Sequence, residues 1–355
     1  MTEGDDADGR SVTVLASRLD AQLLSGSPAR SALAVAERLL AIQAQDPRGA
    51  RLAIRARTTH VGAADIDREL TDRRSLLITW LNRGTLHLVR SEDYPLLQML
   101  TTPPLRTAVA RRLAQEGVEP DVAARGVSVI ERAVGDEGPL GRDALRERLQ
   151  HAGVPTAGQA LVHLLVQASI QGRIIRGPVV GRDHAFALVR DWLPDLGPTP
   201  ARETALAELA RRYLAGHGPA TEHDLARWAG LPLRDARAGL RAVAKNLRER
   251  PDGLVELAGR RRVPPLPPPR LLGAFEPLLM GWRSRADVLG EAEPRIVTGG
   301  VFRGFALIDG RAAAGWRFSG SRIEIEPFAP LTADDAEALE RDASEVQLFL
   351  GLPSA

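Results

Sequence analysis

A short segment occurs twice in this chain. Gly138-Pro139-Leu140-Gly141-Arg142-Asp143-Ala144-Leu145 is echoed by Gly218-Pro219-Ala220-Thr221-Glu222-His223-Asp224-Leu225. In both copies a Gly-Pro turn leads into a short helix, and helical spacing predicts a second helix, over Thr156–Gln171 and Leu233–Arg248. Each copy then ends in a β-prone pair: Arg173–Arg176 with His184–Val189, and a weaker one around Gly253–Arg262. The N-terminal part follows the same order. Helices are expected over residues 11–25, Ser31–Ile42, Arg48 to about Thr58, and a short stretch from Asp65 to Arg73. Two alternating runs around Leu77–Leu81 and Thr85–Val89, joined by Asn82-Arg83-Gly84, then read as a hairpin. Helices followed by a hairpin make a winged helix, and three such units restrict the fold more than any composition does.

The remainder of the chain is of a different kind. Residues 91–135 read as helical, with a break at Pro103-Pro104. Val263-Pro264-Pro265-Leu266-Pro267-Pro268-Pro269 is a stiff connector. Beyond it, short strands at Arg295–Val301, Gly304–Ile308, Ala313–Phe318 and Arg322–Phe328 alternate with Gly and Asp-Gly turns, and a helix from Thr332 to about Leu350 closes the chain. The fold class is therefore mainly α with small β elements (α+β): tandem winged-helix units plus a C-terminal β-rich subdomain. The expected domains are 9–135, 136–198, 199–263 and 270–355. A chain of 355 residues is long enough for several such subdomains.

Composition enters as a set of exclusions. No cysteine is present, so disulfides, thiol chemistry and cysteine metal sites are ruled out. The seven histidines lack metal-ligand spacing, and no metal or cofactor is expected. No apolar run approaches the ~20 residues of a membrane span. The acidic start at Met1–Asp8 is not a targeting signal. A cytoplasmic monomer is the expectation. Net charge is only +2, but Lys245 is the single lysine, so nearly all positive charge is arginine. Arginine suits phosphate and groove contacts, and a GC-rich genome alone would give the same bias.

The chemistry centres on Gln43-Ala44-Gln45. Asp46 reads as an N-cap and Pro47 as the first residue of the following helix, which carries Arg48, Arg51, Arg55 and Arg57. Two neutral amides are thus expected at a helix–helix junction, where they either close a helix at the surface or orient a water. Gln43-Ala44-Gln45, with Arg83-Gly84-Thr85-Leu86-His87 downstream, resembles the Gln-x-Gln signature of the AlkZ/YcaQ-like DNA glycosylases. The resemblance spans nearly the whole chain in the same order. One motif departs from it: the family's Pro-x-Phe-Asp-x-Tyr-Leu-Leu-Gly-Tyr stands here as Gly273-Ala274-Phe275-Glu276-Pro277-Leu278-Leu279-Met280-Gly281-Trp282.

This resemblance implies a monofunctional glycosylase that removes bulky N7-alkylated purines and unhooks interstrand crosslinks, with a role in genotoxin self-resistance. Its partner would be double-stranded DNA carrying alkylated or crosslinked purines. Such a base is cationic and leaves readily, so the enzyme needs a placed water and stabilised charge at the sugar. On this reading Gln45 positions the water and Gln43 orients the deoxyribose or lesion. Some relatives carry Asp at the second position; Gln45 orients rather than acting as a base. Candidate DNA contacts are Arg48, Arg51, Arg55, Arg83, Thr85, His87, Arg283 and Arg285. Besides the N-terminus, Lys245 is the sole primary amine, in a helix far along the chain from the glutamines, which favours hydrolysis over Schiff-base chemistry. A non-catalytic winged-helix regulator is the alternative, since fold alone does not give function.

Overall fold

The computed structural model describes residues 13–180, 183–193, 200–259 and 264–352. The acidic start, the first two residues of the 11–25 helix, and Val263 with the end of the third expected hairpin lie outside them. The chain is mainly helical with several small antiparallel sheets. It divides into two compact units. One comprises Met1–Ile66, Glu203–Trp228 and Pro232–Ala355; the other comprises Asp67–Arg202 with Ala229–Leu231.

The repeated segment has a structural counterpart in each unit. Leu140 exchanges both backbone hydrogen bonds with Phe186, at 3.0 and 2.8 Å, and Ala220 does the same with Val255, at 3.0 and 2.9 Å. In each copy the residue after Gly-Pro therefore pairs with the second strand of the hairpin that ends that copy. Between them lie two helices, Arg142–His151 and Ala160–Ile170 in one copy, Glu222–Ala229 and Leu233–Ala242 in the other. The second helix of each copy is shorter than the apolar spacing suggests. Ala244–Asn246 is a 3-10 turn, which places Lys245 outside a regular helix, and Leu247–Glu249 is already a strand paired with Val255–Leu257.

In the unit built on Asp67–Arg202, the hairpins expected as wings of the first two winged helices share one antiparallel sheet. Within this unit its strands run in the order Thr85–Arg90, Leu76–Leu81, Ile174–Val180, Asp183–Leu188, four of the five strands of that sheet. All six residues of Leu76–Leu81 are buried, so this strand has no solvated face and its sequence need not alternate. Trp80 stacks on Phe186 at 6.3 Å, as part of the core. Residues 91–135 are helical as expected, and Pro103–Leu105 is a 3-10 turn between Tyr94–Thr101 and Arg106–Gln115.

The other unit holds the Gln-x-Gln segment. Its four-stranded antiparallel sheet runs Arg322–Pro327, Arg311–Ser319, Phe305–Ile308, Arg270–Leu272. The expected strand at 295–301 starts instead as a helical turn, Glu293–Ile296, followed by two-residue strands. The closing helix Ala333–Phe349 is capped by the Thr332 hydroxyl, which accepts from the Asp335 N–H. That helix covers the sheet edge: Asp342 accepts from the backbone N–H of Leu271 at 2.7 Å. A second core gathers His217 between Tyr213, Trp228 and Trp282, at ring separations of 4.9, 5.1 and 5.9 Å. His217 and Trp228 are thus packing groups, and His223 is exposed.

Candidate active site

The helix that precedes Gln43 is Ala32–Leu39, shorter than its apolar run. Leu40 ends it at φ 63°, a left-handed conformation that a branched side chain rarely takes and that costs about 1–2 kcal/mol. The turn sends Ile42–Gln43 into extended backbone. The amides therefore sit in a short extended link between two helices, not directly at a helix–helix junction. Gln43 lies in this two-residue strand, and Gln45 lies in the bend that leads into the next helix. Gln43 is buried at 6 % exposure and Gln45 is exposed. One amide is thus fixed by its surroundings while its neighbour two residues on faces solvent.

The next helix starts where the sequence places it. Asp46 accepts from the Arg48 N–H at 2.9 Å, and Pro47 is the first helical residue. It ends at Arg55, short of the expected Thr58. Its arginines have four different fates. Arg48 is exposed and lies over the Phe318 ring at 4.6 Å, with no carboxylate partner among the described residues. Arg51 is buried and donates to the Pro47 carbonyl at 2.9 Å. Arg55 forms a two-pronged ion pair with Asp342, at 2.8 and 2.7 Å, and a third contact to Glu345 at 2.9 Å. Arg57, just past the helix end, is fully buried and pairs with the equally buried Glu276.

Glycines set how closely this helix sits on the altered motif. A Cβ on Gly49 would stand 2.3 Å from the Ala274 carbonyl oxygen, and one on Gly273 would stand 3.2 Å from the Gly49 Cα. Backbone meets backbone at Gly49, while the Leu52 Cβ crowds the Gly273 position at 2.9 Å. Phe275, again at positive φ, 55°, turns the chain so that Glu276 follows inside. Farther along the same motif, the Arg283 backbone N–H donates to Asp224 at 2.9 Å; its side chain is exposed and has no carboxylate partner among the described residues. Arg285 is half-buried, donates to the Leu279 carbonyl at 2.8 Å and pairs with Glu293 at 3.3 Å.

Arg83, Thr85 and His87 belong to the other unit. Arg83 occupies the hairpin turn at φ 59°, and Thr85 donates to the Asn82 carbonyl at 3.2 Å. His87 is 2 % exposed, opposite Thr79 on the neighbouring strand. Burial, with the nearby Arg83 charge second, lowers its pKa to about 3, so the ring is neutral and offers DNA no surface. Within its own unit, then, the chain brings together Gln43, Gln45, Arg48, Arg51 and Arg55. Sequence reasoning passed over Glu276 and Gln22 as functional groups and noted Arg57 only as a helix residue. An acid in an otherwise apolar motif was the one available signal.

Comparison with known proteins points one way. The model of the family described as DNA glycosylase AlkZ-like matches residues 36–349. A curated relative from Streptomyces sahachiroi, described as an interstrand DNA cross-link repair glycosylase, is 27% identical, with 96% of each chain covered. A solved structure, the Streptomyces sahachiroi DNA glycosylase AlkZ, superposes with a TM-score of 0.78 at 25% identity, covering 96% of both chains.

Proposed function

The chain belongs to the AlkZ-like DNA glycosylase family, and from that membership we propose that it hydrolyses the N-glycosidic bond of bulky N7-alkylated purines and unhooks interstrand crosslinks. The observation that carries this reading is the pair of amides before the Pro47–Arg55 helix, one buried and one exposed. Gln45 holds a water by donating and accepting hydrogen bonds at once, and Gln43 orients the deoxyribose or the lesion. An N7-alkylated purine already carries positive charge, so no acid is needed to protonate it. The barrier is lowered by aligning water with the anomeric carbon and by stabilising positive charge as the bond opens.

In this reading the protein acts as a cytoplasmic monomer on duplex DNA, built of three winged-helix units and a β-rich subdomain, and protects its host from a genotoxin. No helix among the described residues is long and apolar enough to cross a membrane. Arg48 and Arg283, whose guanidinium groups lack carboxylate partners among the described residues, contact phosphates. Arg83 does so from the other unit. Arg55 and Arg285 spend their charge on Asp342, Glu345 and Glu293, and bind DNA weakly if at all. The test is to incubate the protein with duplexes bearing either N7-methylguanine or an N7-linked crosslink. Release of free base and separation of the strands support the reading. A footprint without release would favour a non-catalytic DNA-binding protein.

A further inference from the structure

The Gln43–Gln45 link is short, and the two helices that flank it set where it starts and ends. The preceding helix is clamped near its end. A Cβ on Gly216 would stand 2.2 Å from the Arg38 carbonyl oxygen and 3.4 Å from the Leu39 Cα. The following helix is clamped near its start, where Gly49 meets Ala274 and Gly273. Both clamps bear on segments that one buried cluster joins.

Arg57 sits at the centre of that cluster. Its Nε donates to the Gln22 carbonyl at 2.7 Å, one terminal nitrogen to the Ala53 carbonyl at 2.8 Å, and the other to the Gln22 side-chain oxygen at 3.0 Å and to Glu276. Gln22 passes the link on, since its amide donates to the Gly216 carbonyl at 3.1 Å. Glu276 uses the same oxygen to accept from the Leu278 N–H at 3.2 Å, which fixes the 3-10 turn Pro277–Leu279. Arg57, Gln22 and Glu276 are all buried to 1 % exposure or less. The second carboxylate oxygen of Glu276 accepts no hydrogen bond from a described residue. A core selected only for stability would place apolar groups here, because a buried ion pair gains little over well-packed hydrocarbon.

We propose that Glu276 and Arg57 are positioning residues for base excision. They brace both helices around the Gln-x-Gln link, and so hold Gln45 where it aligns its water. The inference rests on the assignment of catalysis to Gln43 and Gln45. It makes the buried pair matter to the chemical step and not to DNA affinity.

The experiment compares the parent with Glu276→Gln, which keeps shape and removes charge, and with the apolar double replacement Arg57→Met with Glu276→Leu. Gln45→Ala runs in parallel. Each full-length protein is assayed for its melting temperature, its affinity for undamaged duplex, and its single-turnover release of N7-methylguanine at a temperature where it is folded. The expected result is parental DNA affinity with release slowed at least about tenfold in both, a loss of about 1.4 kcal/mol in transition-state stabilisation. A merely structural pair would change affinity and rate together, in step with the folded fraction. Parental release by the folded double variant overturns the inference. If the pair variants do not fold, Gln22→Met removes the link to Gly216 and leaves the ion pair; the same split supports the inference, and a parental rate overturns it. Should Gln45→Ala itself release base at the parental rate, the fault lies in the Gln-x-Gln assignment. A slow Gln45→Ala beside fast pair variants faults the brace alone.

Discussion

Arginine is the dominant cation of this chain, but its individual residues serve opposite ends. Arg57 is buried to organise a core, Arg55 is neutralised by Asp342 and Glu345, and Arg48 lies exposed over Phe318. Nothing in a one-dimensional sequence separates these three, because the carboxylates concerned lie more than two hundred residues away. Replacing Arg48 with Ala is expected to weaken duplex binding while leaving melting within about 0.5 kcal/mol of the parent, as for other surface changes. Binding titrations and urea denaturation on the same preparation check both halves. His87 gives a second residue-scale expectation. Its folded-state pKa of about 3 lies below the ordinary histidine value, so the unfolded chain takes up a proton that the folded chain refuses. The associated stability is therefore full above about pH 6.5 and is lost as pH falls toward 3, by about 1.4 kcal/mol per pH unit inside that window. Urea denaturation at pH 6 and pH 4 should show a shallower fall for His87→Gln than for the parent. Equal slopes would mean that His87 is charged in the folded protein.

Elements were legible in proportion to how local their causes are. Asp46 and Pro47 mark a helix start by chemistry contained in two residues, and the start is there. The Gly-Pro echo is a local turn signal, and both copies place the following residue on the hairpin. Thr332 likewise caps the last helix. Endings were less legible. Leu40, Arg83 and Phe275 adopt positive φ without being glycine, a strain that tertiary packing imposes and no residue type announces. This is why the helix before Gln43 stops at Leu39 while its apolar run continues to Ile42. The sharing of one sheet by two hairpins was also invisible, since strand pairing across a hundred residues leaves no periodic mark. Within the site, the glutamines were readable from their pattern; the cluster of Arg57, Gln22 and Glu276 was not, because it joins segments far apart in the chain. Gly49 tests the packing that results. Gly49→Ala would raise helix propensity by about 1 kcal/mol, yet its Cβ meets a backbone carbonyl that cannot rotate aside. A net loss of about 2 kcal/mol or more is expected from overpacking. A more stable Gly49→Ala protein would refute the close approach.

On the scale of the whole molecule, a net charge of +2 has to be reconciled with a DNA substrate. Many acidic groups are already committed to arginines within the chain, among them Glu69, Asp93, Glu137, Glu208 and Asp342. Each such pair removes one charge of either sign and leaves the net at +2, so the placement of arginines such as Arg48 and Arg283, and not the formal count, sets the affinity. Binding to undamaged duplex should weaken steeply with salt, with log K falling by about 0.9 per neutralised phosphate for each unit of log salt. A flat dependence would mean that arginine abundance follows genome composition and not DNA contact.

The central claim is that an exposed amide, Gln45, aligns the attacking water. Its most direct test is single-turnover release of N7-methylguanine by Gln45→Ala, with borohydride added in parallel to trap any imine. The account predicts a folded, DNA-binding protein whose release is slowed by about 10²–10³, as when one charge-stabilising or positioning contact is lost, and no covalent complex in parent or variant. Full activity in Gln45→Ala, or a trapped complex that vanishes in Lys245→Ala, would contradict it.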